Sequence, residues 1–319
     1  MAICYELAGS MVLAPSDPAQ GQQSSDSASA TGSVDVPMVK VVTSDEFDKI
    51  PAIPEDGREA LQVLSTAPSN FVDLHPDFIV GSFAVPDMEQ ASADASLFSF
   101  YLDRERLVFV DEGCTCADVL ASIAKSQVLR DMTTPHCLYA FMKELIVNDF
   151  EHLDKNEDAM EAIEESIVVS KRDVNVRQIM GFRRLSMNLG AYYLQLAAMA
   201  SLLTDNENKL MSRNEARAFS HVQYFADRFA TRAETLKEYS LQLHELHQTR
   251  IDLMQNSIMQ TFTIVTVLFA PLTLITSWYG MNLSVLPGLD WPYMFLLLIA
   301  ASIICTSLLL VWFHKRRWI

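Results

Sequence analysis

Residues 253–282 read LMQNSIMQTFTIVTVLFAPLTLITSWYGMN, and this stretch decides the architecture. It carries no charged side chain, and charge stays absent as far as residue 289. Beyond Asp290 the next 24 residues carry none either. A hydrocarbon core about 30 Å thick is crossed by about 20 apolar residues rising 1.5 Å each. Two crossings are therefore expected, at 257–279 and 292–313, joined by a tight loop at 280–291. The chain reads as a membrane protein anchored by a C-terminal hairpin, with its bulk outside the bilayer.

The basic residues set the expected orientation. No Lys or Arg occurs between Arg250 and Lys315, and Lys315-Arg316-Arg317 follows the second apolar segment at once. The positive-inside rule puts the large N-terminal region and the tail 314–319 in the cytoplasm, and the loop outside. No basic stretch followed by an apolar core opens the sequence, so no cleaved signal peptide is expected. The five cysteines are Cys4, Cys114, Cys116, Cys137 and Cys305. Four would stay reduced in a cytoplasmic domain, and Cys305 falls in the second span.

The chain has 319 residues and a net charge of −16. Residues 1–150 hold 23 Asp and Glu against 8 Lys and Arg. That acidic field favours cations and argues against nucleic acid or anionic lipid as a partner. An α/β region is expected over 1–130, with 9–36, rich in Ser, Ala, Gly and Gln, as a flexible segment. Strands are expected at Met1–Leu7, Val39–Val42, Phe78–Val85, Leu97–Tyr101 and Leu107–Val110, and helices at Ser44–Ile50, Glu55–Leu64 and Cys116–Lys125. A helical region over 131–256 follows, broken at Thr204–Asn208. Its last helix is expected to start near Lys209 and run into the membrane. Within it Val222, Ala226, Phe229, Ala233, Leu236, Ser240 and Leu243 step 4-3-4-3-4-3, a seam fit to pack on another helix.

The hairpin carries more than apolarity. Pro271-Leu272-Thr273 is followed by Tyr279-Gly280-Met281-Asn282 at the outer end of the first span, and the chain ends Lys315-Arg316-Arg317-Trp318-Ile319. This resembles the CorA family of magnesium transporters, which has a Y-G-M-N signature after the first of two C-terminal spans. The resemblance is strongest over 250–319. It implies a funnel-shaped homopentamer in the plasma membrane, with an α/β cytoplasmic domain, a long stalk helix and two C-terminal transmembrane helices. The first span of each copy would line the pore. Both termini would be cytoplasmic, the cargo would be Mg²⁺, with Co²⁺ and Ni²⁺ as further candidates, and no organic cofactor would be needed. Gly280, Met281 and Asn282 would form the selectivity filter, with Asn282 holding the hydrated ion through its waters. Asn256, Met259, Phe262, Thr266, Ala270 and Thr273 would line the pore. Their spacing of 3, 3, 4, 4 and 3 places them on one helical face without recourse to the family. Gly280 would permit a close approach or an unusual dihedral in the turn.

The sequence also departs from the family pattern. Where many members carry an acidic residue after the signature, this chain reads Leu286-Pro287-Gly288-Leu289, leaving Asp290 as the candidate for an outer acidic ring. The family's metal-sensing stalk aspartate corresponds to His221, with Asp227 the nearest stalk carboxylate. His221, the His244-x-x-His247 pair and Cys114-x-Cys116 raise a zinc-transporting branch of the superfamily as the alternative, since imidazole and thiolate suit softer metals. A non-conducting, membrane-anchored sensor is a second alternative. The acidic run Glu157, Asp158, Glu161, Glu164 and Glu165 reads either as a cation-gathering surface or as a solvated helix face. No phosphate-cradling Gly loop, nucleophile elbow or Ser-His-Asp spacing occurs, so an enzyme is not expected.

Overall fold

The computed structural model describes residues 3–7, 13–15, 38–50, 53–65, 69–88, 95–126, 133–169, 174–281, 293–316 and 318. In chain order the elements are β1 (Ile3–Leu7), β2 (Leu13–Pro15), β3 (Met38–Val42), α1 (Ser44–Phe47), α2 (Glu55–Ser65), β4 (Phe71–Leu74), β5 (Ile79–Val85), β6 (Ser96–Leu102), β7 (Arg106–Asp111) and α3 (Thr115–Ser126). Then come α4 (Thr134–Leu145), α5 (Asp149–Val168), α6 (Val176–Asp205), α7 (Arg213–Tyr279) and α8 (Met294–Lys315). The seven strands form one sheet in the order β2-β1-β3-β7-β6-β5-β4. Only the β3–β7 pairing is parallel. Contacts divide the chain into two compact units, Met1–His244 and Glu245–Ile319.

Alternation along the central strands buries both faces of the sheet. Val80, Tyr101, Val108 and Val110 point to one face and pack with Phe47, Ile53 and Leu61 of the α1–α2 region. The other face is aromatic. Phe83, Phe98 and Phe109 surround Phe141 of α4, with ring centroids 5.9, 5.7 and 4.4 Å from it. This insertion is why the first compact unit runs well past residue 130. Gly81 sits opposite Phe100 across the β5–β6 ladder. A Cβ there would lie 2.4 Å from the Phe100 ring, so the ring occupies the space a side chain would need.

Two strands depart from expectation. Leu13–Pro15 lies inside the 9–36 segment expected to be flexible, yet pairs with Tyr5–Leu7 as an edge strand, where the missing N–H of Pro15 is tolerated. The rest of that segment lies outside the described residues. Phe71–Leu74 is short, carries Asp73 among three apolar residues, and forms the opposite edge.

The helical region explains itself through caps and a seam. Asn206 takes left-handed backbone, with φ of 48°, and caps the end of α6, and Lys209 in the turn that follows is left-handed too, with φ of 56°. The next helix therefore starts at Arg213 rather than Lys209. Ser212 and Glu215 cap it reciprocally: the Ser212 N–H donates to the Glu215 carboxylate at 2.7 Å, and the Glu215 N–H to Ser212 Oγ at 3.4 Å. All seven residues of the 4-3 seam are buried. Tyr193 of α6 meets Phe229 of α7 at 5.3 Å, and a Cβ on Gly190 would touch Ala233 at 3.8 Å. From α5, Asp154 and Glu157 pair with Arg232, and Glu164 accepts the Tyr239 hydroxyl at 2.5 Å. The acidic run thus divides: Glu157 and Glu164 turn to α7, while Asp158, Glu161 and Glu165 face solvent.

Candidate functional site

In the second unit, α8 and the end of α7 are each long and apolar enough to cross a membrane. Within residues 257–279 of α7 the half-covered residues are Gln260, Ile264, Leu268, Pro271, Leu272, Ile275 and Tyr279. On α8 the matching stripe is Met294, Leu298, Ser302, Cys305, Thr306, Leu309 and the buried Phe313. Both stripes step by threes and fours, so each is one helical face, and the two helices cover one another along them. The Gln260 side-chain amide donates to the Trp318 carbonyl at 3.2 Å and closes one end of the pair.

The six positions expected to line a pore all lie on α7, and all are exposed: Asn256, Met259, Phe262, Thr266, Ala270 and Thr273. At about 100° per residue they fall within an arc of about 120°, centred roughly opposite the stripe that meets α8. Among the described residues of the unit, their face is therefore left uncovered. It opens with an amide, continues with a thioether and a ring, and then carries two hydroxyls separated by Ala270. The Thr266 and Thr273 hydroxyls donate to the Phe262 and Phe269 carbonyls at 2.8 and 2.9 Å. That leaves hydroxyl lone pairs as the acceptors these side chains offer outward. Pro271 lies inside the helix without an N–H, so the Val267 carbonyl loses its usual helical donor.

The span ends tightly. The Gly280 N–H donates to the Thr276 carbonyl at 2.9 Å. A Cβ on Gly280 would lie 2.9 Å from that same oxygen, and no left-handed φ is involved. The requirement for glycine is thus close approach rather than an unusual dihedral. Met281 follows, exposed. Asn282, Asp290 and the run Leu286–Leu289 lie outside the described residues.

The candidate metal ligands elsewhere do not converge. His221 and Asp227 are both exposed on α7, six residues and so roughly 120° apart. His221 lines a groove of about 690 Å³ with Tyr139, Phe150, Phe225 and Arg228, an apolar surface with a basic rim. Cys114 is exposed, whereas Cys116 is buried. The Asp111 carboxylate accepts from the N–H groups of Gly113 and Cys116 at 2.7 and 2.8 Å and caps the start of α3. Burial, reinforced by Asp111, pushes the Cys116 thiol far up, away from the thiolate a metal would need. His247 extends the buried seam of α7 by one step, and His244 is half-buried. Among the described residues, no three His, Cys, Asp or Glu side chains gather.

Two features escaped the reading of the sequence. The tie between Gln260 and Trp318 has no local signal, since it joins residues 58 apart. The Ser212-x-x-Glu215 cap was legible as a spacing and marks the helix start.

The family described as "CorA-like Mg2+ transporter protein" matches residues 49–316. The chain is 23% identical over 192 residues to the cobalt/magnesium transport protein CorA of Thermotoga maritima, covering 60% of this chain and 55% of that one. It is 36% identical over 77 residues to the magnesium transport protein CorA of Wolinella succinogenes, 24% of each chain. These matches span about half or less of the relatives' length. The solved structure of the complete CorA magnesium transporter from Methanocaldococcus jannaschii superposes with a TM-score of 0.81 at 19% identity, over 100% of this chain and 99% of that one. An α/β domain, one long helix and two apolar C-terminal helices are common to this fold, and the chain belongs to the CorA-like Mg²⁺ transporter family.

Proposed function

We propose that this chain forms a homopentameric, channel-type transporter that moves Mg²⁺ across the plasma membrane down its electrochemical gradient. The observation that carries the proposal is the placement of Asn256 through Thr273 opposite the face of α7 that meets α8. Five such free faces would surround an axis, since a hairpin of two helices encloses no pore alone. Met259 and Phe262 would form apolar rings that gate by narrowing and dewetting. Asn256 would give a polar ring at the cytoplasmic end, and the Thr266 and Thr273 hydroxyls acceptors for the ion's waters. Asn282 would hold the hydrated ion at the outer mouth. Mg²⁺ dehydrates reluctantly and prefers octahedral oxygen, so neutral amide oxygens acting through water suit it without trapping it. Asp290 would contribute an outer acidic ring. Moving two charges through 100 mV releases roughly 4.6 kcal/mol, so no catalytic machinery is required.

The test is Mg²⁺ entry into proteoliposomes under an inside-negative potential, read with an internal dye. Wild type takes up Mg²⁺, and Asn282→Ala reduces uptake by tenfold or more. A folded wild-type oligomer without uptake overturns the proposal, as does a monomer in mild detergent.

A further inference from the structure

The last turn of α8 and the residue following it carry a structured cationic surface. Trp312, Lys315, Arg316 and Trp318 are all exposed there. The Arg316 guanidinium lies over the Trp312 ring, 5.6 Å from its centroid. Trp318 folds back: its N–H donates to the Phe313 carbonyl at 3.1 Å, and its ring stacks on Phe313 at 5.7 Å. Gln260 then holds the Trp318 carbonyl against α7. Arg316 and Trp318 are therefore each held by a contact, Arg316 on Trp312 and Trp318 on Phe313 and Gln260.

Its charge is out of character for the chain. Lys315-Arg316-Arg317 is the one run of three consecutive basic residues in a sequence of net charge −16. Among the described residues, neither Lys315 nor Arg316 has a carboxylate at ion-pair distance. Indole rings favour the depth of lipid headgroups, and cations beside them meet the phosphates there. The position fits that depth, because the surface begins where the apolar run 291–313 ends.

We propose that Lys315 and Arg316, flanked by Trp312 and Trp318, form a binding site for the phosphate headgroup of an anionic phospholipid of the cytoplasmic leaflet. This rests on the membrane orientation above but not on which ion is moved. The guanidinium supplies paired N–H donors to the phosphate, the ammonium a second charge, and the indoles lie along the upper acyl chains. Gln260, next to Met259, ties this site to α7.

The test uses the full chain in mild detergent, incubated with phosphatidylglycerol or with phosphatidylcholine of the same chain length, and counts retained lipid by native mass spectrometry. Wild type retains phosphatidylglycerol saturably and in preference to phosphatidylcholine. The double variant K315Q/R316Q binds it on the order of tenfold more weakly. The charge-conserving K315R/R316K restores binding, which separates loss of charge from loss of fold. R104Q/K125Q, removing equal charge from the soluble unit, leaves binding as in wild type. Equal retention of the two lipids, equal binding by K315Q/R316Q, or displacement by millimolar inorganic phosphate, which would mark a site for soluble anions, overturns the proposal. None of these readouts depends on ion transport.

Discussion

Helix α7 contains two apolar stretches that behave in opposite ways. Over 222–243 every seam residue is at most 8% exposed. Over 253–279 Phe262 and Leu274 are 65% and 67% exposed. The residue types overlap, and what differs is the solvent. Water forces an apolar stripe to be covered, so burial in the first stretch reports packing. Lipid chains are as apolar as Leu, so exposure in the second is not a defect. There the informative signal is the reverse: the few half-covered residues mark where α8 lies, and the proposed pore-lining residues fall on the opposite, exposed face.

This contrast is broken most directly by equal truncations in the two stretches. Leu236→Ala, at 1% exposure, is expected to cost about 2–5 kcal/mol, whereas Leu274→Ala leaves the transition of the Met1–His244 unit in place. Thermal unfolding of the detergent-solubilised protein, followed by circular dichroism, compares them. Equal shifts would show that the two stretches do not differ in packing.

A titration sharpens the view of the buried side. Asp149 begins α5 beside Tyr192 and Tyr193, and Tyr193 packs on the seam residue Phe229. Burial raises its carboxyl from 3.8 to about 6, against the opposing pull of the Tyr193 hydroxyl and His152. The folded state therefore keeps a proton that the unfolded chain has released. Stability falls as pH rises from about 4 to about 6, by about 3 kcal/mol, and stays lower above that. Asp149→Asn should flatten this slope and raise the Tm at pH 7. An unchanged pH profile would remove Asp149 from the balance.

The smallest expected effect is at the start of α7. Ser212→Ala removes one side of the reciprocal cap and should cost about 1 kcal/mol in the same unfolding measurement. A larger loss would mean that the turn at Asn206–Met211 depends on this cap as well.

Much of this was legible in the residues. The short apolar runs Leu107–Val110 and Leu97–Tyr101 pointed to strands, and the 4-3 stepping from Val222 to Leu243 pointed to a seam. The six pore candidates shared a face by spacing alone. The edges were not legible. Leu13–Pro15 and Phe71–Leu74 are too short to show a period, and their strand state depends on neighbours already in the sheet. His221 and Asp227, or Cys114 and Cys116, are close in sequence, but whether they converge depends on helix phase and burial.

The two apolar C-terminal segments, the helical seam and the need for glycine at position 280 follow from neighbouring residues, because hydropathy and local geometry are local properties. Long-range packing alone sets Phe141 against the sheet, turns Glu157 and Glu164 inward to Arg232 and Tyr239, seals Cys116 beside Asp111 and ties Trp318 to Gln260. Each of these joins elements whose meeting depends on how the chain folds back, and no local pattern encodes that.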